Sequence, residues 1–248
     1  MLRGALIRKR AKAGHEQGWR SSEVSRIEGL SDAVFAFAVT LLVVSLESPR
    51  TASELYQIMH GFLPFAITFA ILFQIWYAQF LWFRRYGLED TTTVLLNGAL
   101  LFMVLFYVYP LKFLFTYLAG TLMGGSGMTH LADGRLVPIL AAGDAVPMMA
   151  IYDAGFIAVF TVFILLYGHA WRRRDALDLS AGERFDTVTQ IGANACFAAV
   201  GGVSLLIVLI GGASFAGWAG FAYFLLGPVL TVYYSVMGAR KRKLAARG

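Results

Sequence analysis

The chain opens on a polar, basic stretch over residues 1–29 and then turns apolar in long blocks, at about 30–47, 58–83, 93–118, 146–170, 188–212 and 215–238. A hydrocarbon core about 30 Å thick is crossed by roughly 20 helical residues at 1.5 Å rise each. Each block approaches or exceeds that length. Runs such as 102–111 and 156–167 do not alternate apolar and polar with period two, as a membrane barrel strand would. An open strand edge in lipid would also leave backbone N–H and C=O groups unsatisfied. The pattern predicts an all-α integral membrane protein with six transmembrane helices, one domain over residues 1–248, and a short basic tail at 239–248. No internal repeat relates the first three spans to the last three.

Composition sharpens this reading. The chain is 58% apolar and 15% charged, with a mean hydropathy of +0.65, against roughly half apolar and about a quarter charged in soluble domains. That excludes a soluble enzyme and a disordered tail. The single cysteine, Cys196, lies in the fifth block, so a disulfide scaffold is excluded as well, and the thiol reads as a small hydrophobe.

Charge assigns the sides. Of 21 Lys and Arg, all but three precede the first span, follow the second, separate the fourth from the fifth, or end the chain. Arg50 and Arg135 fall on the other side, and Lys112 lies inside a span. Positive residues stay inside, so both termini are expected in the cytoplasm, in a multi-pass protein of the cell inner (plasma) membrane. The net charge of +6 then reports topology and contact with anionic membrane lipids, not nucleic-acid binding. Trp82 and Trp171 at the cytoplasmic ends of spans two and four, and Trp218 near the outer end of span six, are expected at the interfaces that indoles favour. Residues 1–29 are too long and polar for the n-region of a cleaved signal, so the first span is expected to be retained. The glycine-rich segment 119–145 reads as a flexible extracytoplasmic loop.

Candidate chemistry is sparse. His15, His60, His130 and His169 have no metal-ligand spacing, and there is no phosphate-cradling glycine loop and no Ser/His/Asp set on one face. No enzyme activity, metal or cofactor is expected. Lys112 and Asp153 are ionisable residues in or beside spans, where such groups are functional candidates by default, although near the outer ends both can snorkel. Asn97 and Asn194 are candidates for interhelical hydrogen bonds, worth roughly 0.6–2 kcal/mol each.

The first span differs from the rest because charge runs directly into it: Arg26-Ile27-Glu28-Gly29-Leu30-Ser31-Asp32. Ser31 or Asp32 could simply cap a helix. If the helix already runs through Arg26, Arg26 and Asp32 stand about 9 Å apart along the axis and are not an i,i+4 pair. Each then needs a partner from another helix or subunit.

From Arg26 through Leu30-Ser31-Asp32, the small-apolar run Ala33–Val39, Thr40-Leu41-Leu42 and the exit Glu47-Ser48-Pro49, the chain resembles the transmembrane-protein-175 family of lysosomal and bacterial potassium channels. Trp76 and the Leu81…Phe83 ending in span two, and Asn97 and Pro110 in span three, extend the likeness over residues 26–118. The resemblance implies six helices per subunit and a homotetramer whose central pore is lined by the first helix. It also implies conduction of potassium ions without the Thr-Val-Gly-Tyr-Gly carbonyl filter, a sequence absent here. By motif offset the constriction falls on Phe37 and the hydroxyl layer on Thr40, with Arg26, Ser31, Asp32, Trp76 and Asn97 forming the network that locks the cytoplasmic ends. Leu30 replaces the phenylalanine before Ser-Asp, Gln79 or Phe80 replaces the histidine after the span-two tryptophan, and Phe37 replaces Ile or Leu.

Helix geometry adds its own support. At about 100° per residue, Phe37, Leu41, Val44 and Ser48 share an arc of about 60°, with Thr40 about 40° outside it. Stacked copies would form apolar rings that gate by excluding water, with Glu47 at the outer mouth concentrating cations. The same stripe could serve as an ordinary packing face. Two other functions fit the sequence: a secondary transporter with Asp32 or Asp153 as a proton- or cation-coupling carboxylate, and a non-conducting structural homologue with the Phe37 ring shut.

Overall fold

A computed structural model describes residues 24–44, 51–52, 56, 62–122, 127–130, 133–141 and 143–245. Short polar side chains and glycines mark where its helices begin and end. Asp90 opens the third helix by accepting Thr93 N–H at 2.9 Å, and Ser180 and Glu183 form a reciprocal capping box at the start of the fifth. Gly87 at φ 58° closes the second helix, and Gly212 at φ 66° follows the fifth, a left-handed conformation that glycine takes without steric cost.

The elements are α1 (Arg26–Val44), α2 (Phe62–Tyr86), α3 (Thr91–Leu122), a hairpin of β1 (Met128–His130) and β2 (Leu136–Pro138), α4 (Ala145–Arg172), α5 (Ala181–Gly211), α6 (Ala216–Ala222) and α7 (Leu226–Ala245). Among the described residues six spans are long and apolar enough to cross a membrane, the sixth running over Ala213–Leu244. That last span is not one regular helix. It holds 3-10 turns at Ala213–Phe215 and Tyr223–Leu225, the second just before Gly227-Pro228, where proline cannot donate into the helix ladder.

α1 rests on α2 and α3, α3 passes the chain to α4, α4 and α5 form the most extensive helix pair, and α5 carries α6 and α7. One core joins Leu42, Leu72, Leu100, Val104, Phe163 and Leu166 across α1 to α4, and a second joins Tyr107, Tyr152, Val208 and Ala219 across α3 to α6. Pro110 lies inside α3, and its carbonyl accepts the Tyr152 hydroxyl at 2.7 Å, so α4 satisfies a polar group at the irregular turn.

Several expectations are corrected. α1 starts at Arg26, so Ser31 and Asp32 lie inside the helix and do not cap it. Segment 119–145 is not irregular throughout: α3 runs on to Leu122, and β1 pairs antiparallel with β2, Met128 opposite Pro138. Trp82 is not at a lipid interface but fully buried beside Phe83 and Tyr86, because it faces α2's packed side. Asp153 does not snorkel; it is fully buried. Asn194 donates to Gln190 O of its own helix at 2.7 Å and so does not bridge helices. Glu47, Ser48, Arg50, His15 and His60 lie outside the described residues.

Candidate functional site

The first-helix motif is built from three short polar side chains within about one turn, placed so that each meets a different neighbour. Ser31, almost fully buried, donates to Ile27 O of its own helix at 2.8 Å. Its oxygen accepts Asn97 Nδ2–H from α3 at 2.9 Å and Gln79 Nε2–H from α2 at 3.0 Å. The Gln79 amide also donates to Asn97 Oδ1, which closes a three-residue ring across three helices. One position further on, Asp32 Oδ1 accepts Trp76 Nε1–H at 2.7 Å. Glu28, three residues before Ser31 and also buried, faces Arg84 at 3.6 Å, whose guanidinium lies over the Phe80 ring at 5.3 Å.

Ser31, Asp32, Trp76 and Asn97 therefore meet as one polar clasp. Arg26 does not join it; the side chain is exposed on another face. Asp32 is satisfied from α2, as the 9 Å offset from Arg26 required. Gln79 is the central residue that sequence reasoning noted only as a departure. Its signal was present: it stands three residues after Trp76, so both face α1. The Glu28–Arg84 pair was not anticipated.

Beyond the clasp α1 divides into two faces. Ser31, Phe35, Ala38 and Leu42 are buried. Arg26, Leu30, Ala33, Phe37, Thr40 and Val44 are all exposed, and at about 100° per residue they share an arc of about 80° roughly opposite. Phe37 is 56% exposed, Leu30 59% and Val44 71%. Thr40 lies within this stripe, its hydroxyl donating to Ala36 O at 2.8 Å, whereas Leu41 is half-buried at its edge. Between α1 and α2 runs a groove of about 390 Å³ lined by Phe35, Ala36, Val39, Phe69, Leu72, Phe73 and Trp76, with Asp32 its one charged member. Among the described residues no group of His, Cys, Asp and Glu could hold a metal ion.

A six-span membrane protein whose first helix is clasped at one end and bare along its opposite face has the plan of a channel subunit. The family model for the endosomal/lysosomal potassium channel TMEM175 matches residues 26–107, the stretch holding the clasp and the bare face. A protein of Marivirga tractuosa named as a potassium channel is 39% identical over 229 residues, covering 91% of this chain and 92% of its own. A potassium channel of Chamaesiphon minutus is 33% identical over 105 residues, 39% of this chain and 52% of its own. Among solved structures, a crystal structure of the potassium channel MtTMEM175, a Thr-to-Ala variant bound to a nanobody–MBP fusion, superposes with a TM-score of 0.76 at 38% identity, covering 89% of this chain and 96% of that one. The Chamaesiphon minutus TMEM175 homologue superposes at 0.53 and 24% identity, a likeness of fold alone. The chain belongs to the TMEM175 family of potassium channels.

Proposed function

We propose that four copies of this chain assemble around α1 and conduct potassium ions through an axial pore. The observation that carries this reading is the exposed stripe of Leu30, Ala33, Phe37, Thr40 and Val44, set against a buried opposite face. A helix so clasped by its own subunit has one face left to offer, and fourfold repetition turns that face into rings. Phe37 forms the apolar constriction, which excludes water and so bars an ion that keeps its hydration shell. Thr40, one turn on, supplies a hydroxyl ring, Val44 a wider apolar ring and Leu41 the seam between neighbouring copies. Arg26 lies at the pore's basic entrance. The clustering of Arg84, Arg85, Arg172, Arg173 and Arg174 with the ends of α2 and α4 supports a cytoplasmic location for that side and for both termini, in the inner membrane of a bacterial cell with anionic lipid at the basic rim.

The test is potassium flux into liposomes holding the purified protein. Wild type is expected to pass potassium, and Phe37→Ala to pass it faster because the ring widens. No flux from either protein, or a monomer in detergent, overturns the reading. Saturable uptake of a solute that requires Asp32 would assign a transporter instead.

A further inference from the structure

Asp153 lies eight residues into α4, about 12 Å from the helix start at 1.5 Å per residue. It is fully buried, and its surroundings can be enumerated helix by helix. From the 3-10 turn that interrupts the last span, Tyr223 donates its hydroxyl to Oδ1 at 2.7 Å. From α5, the hydroxyl of buried Ser204 stands beside the carboxyl while donating its own hydrogen to Ala219 O at 2.9 Å. From α3, Tyr107 approaches but commits its hydroxyl to Tyr152 O. On α4 itself, the Tyr152 hydroxyl goes to Pro110 O. Oδ2 is buried with no hydrogen-bond partner, and among the described residues no lysine, arginine or histidine pairs with the carboxyl.

Donor accounting decides the protonation state. A carboxylate is an acceptor only, with room for about four bonds. Of the hydroxyls around it, those of Tyr107, Tyr152 and Ser204 are spent on backbone carbonyls, so just one reaches it. An ion there would be both uncompensated by a cation and bare on one oxygen, the arrangement that buried charges avoid. A hydrogen on Oδ2 removes the charge and supplies the missing donor. Ser204 Oγ, whose own hydrogen goes to Ala219 O, is the neighbouring hydroxyl left to accept from it, and Tyr223 still serves Oδ1.

We propose that Asp153 is a membrane-buried proton-binding site, neutral in the folded protein, which clasps α4 to α5 and to the interrupted turn of the last span. Loss of the proton breaks the Oδ2–H bond, the hydrogen leaving to hydroxide as water, and strands a carboxylate beside the turn. The site is remote in sequence from the α1 stripe and does not depend on the proposed pore.

The experiment is infrared spectroscopy of the full-length protein in lipid at neutral pH, in light and heavy water. Wild type is expected to show the carbonyl stretch of a protonated carboxyl, shifted by deuterium. Asp153→Asn, neutral and close in shape, should fold and lose that band. Ser204→Ala keeps the acid but removes its acceptor, so the band should persist and move to higher frequency; this arm stands on its own if Asp153→Asn does not fold. A wild type with no such band, a band unchanged in Asp153→Asn, or one unmoved in Ser204→Ala overturns the proposal. So does a wild type lacking the band whose thermal stability rises with sodium or potassium concentration, which would make the site a carboxylate holding an alkali cation.

Discussion

Ser31→Ala tests the clasp most directly. The serine oxygen is shared by Asn97 and Gln79 at 2.9 and 3.0 Å, and is nearly inaccessible. Removing it does not strand both amides equally. Gln79 keeps Asn97 Oδ1 as an acceptor, whereas the Asn97 Nδ2 group loses the acceptor described for it. One buried donor left bare costs about 1–3 kcal/mol, while hydrogen bonds measured between membrane helices average about 0.6 and reach about 1.7 kcal/mol. The overlap puts Ser31→Ala at about 1–2 kcal/mol. For a chain of this size each kcal/mol moves Tm by roughly 2–4 °C, so a fall of roughly 2–8 °C is expected in a detergent melt. Thr40→Ala supplies the comparison: its hydroxyl bonds within its own helix and is exposed, so its Tm should stay near wild type. Gln79→Met deletes the other side of the contact. Because the two residues share one network, the double variant should cost less than the sum of the singles by at least about 0.5 kcal/mol. Equal melts for Ser31→Ala and Thr40→Ala, or strict additivity with Gln79→Met, would refute the claim that this ring ties three helices.

A Cβ at position 192 would overlap the Tyr233 hydroxyl, which donates to Thr189 O at 2.9 Å. Gly192→Ala should therefore cost about 1–3 kcal/mol through overpacking and lower Tm, and adding Tyr233→Phe should recover part of the loss. Ser180→Ala removes the capping box of α5 and should cost about 1 kcal/mol, read by faster amide exchange confined to the first turn of that helix. At the loop before α3, burial alone would raise the Asp90 carboxyl, but hydrogen bonds from the Thr93 backbone and side chain and from His169 outweigh it and hold it below the usual carboxylate range. A depressed folded value adds stability above the unfolded value of about 3.9 and loses it as pH falls through the folded one. Asp90→Asn should accordingly lower Tm at neutral pH and flatten its decline below about pH 4.

How much of this was legible in the sequence depended on whether a residue's role was set by its own segment. The six spans came from lengths of apolar run, which the bilayer fixes locally. Ser31, Asp32 and Asn97 stood out because polar groups inside apolar runs need partners, whereas Trp76 entered through the family resemblance; the short offsets from Trp76 to Gln79 and from Glu28 to Ser31 carried a further signal. The start of α1 was legible but passed over: Ser25 caps it, accepting Glu28 N–H at 3.1 Å, and Ser25-Arg26-Ile27-Glu28 carries the spacing of a helix N-terminus. What residues 24–32 do not show is that Glu28 meets Arg84 across the bundle. Asp153 read as a carboxyl free to snorkel and Asn194 as a bridge between helices, and only the packing makes the first a buried carboxyl beside Tyr223 and Ser204 and the second an amide that bonds back within its own helix. The break at Tyr223–Leu225 was hidden because its sequence is as apolar as its surroundings.

The clasp also bears on how the exposed face of α1 can behave. The polar contacts described between α1 and its neighbours, through Glu28, Ser31 and Asp32, sit in the first two turns. Hydrogen bonds have direction, so they fix both the position and the rotation of that end. Further along, Phe35, Ala38 and Leu42 hold α1 by apolar packing, which fixes distance more firmly than rotation because it is non-directional. Phe37 lies about one and a half turns beyond Ser31, at the junction of the two regimes. In the proposed pore, its ring is therefore the first that can turn without breaking the clasp, and Thr40 and Val44 turn with it. A bulky aromatic at the proposed constriction is compatible with conduction on this arrangement: a change of side-chain rotamer, or a small twist of α1 confined to the turns beyond the clasp, would move the Phe37 ring off the axis while Ser31 and Asp32 keep their partners.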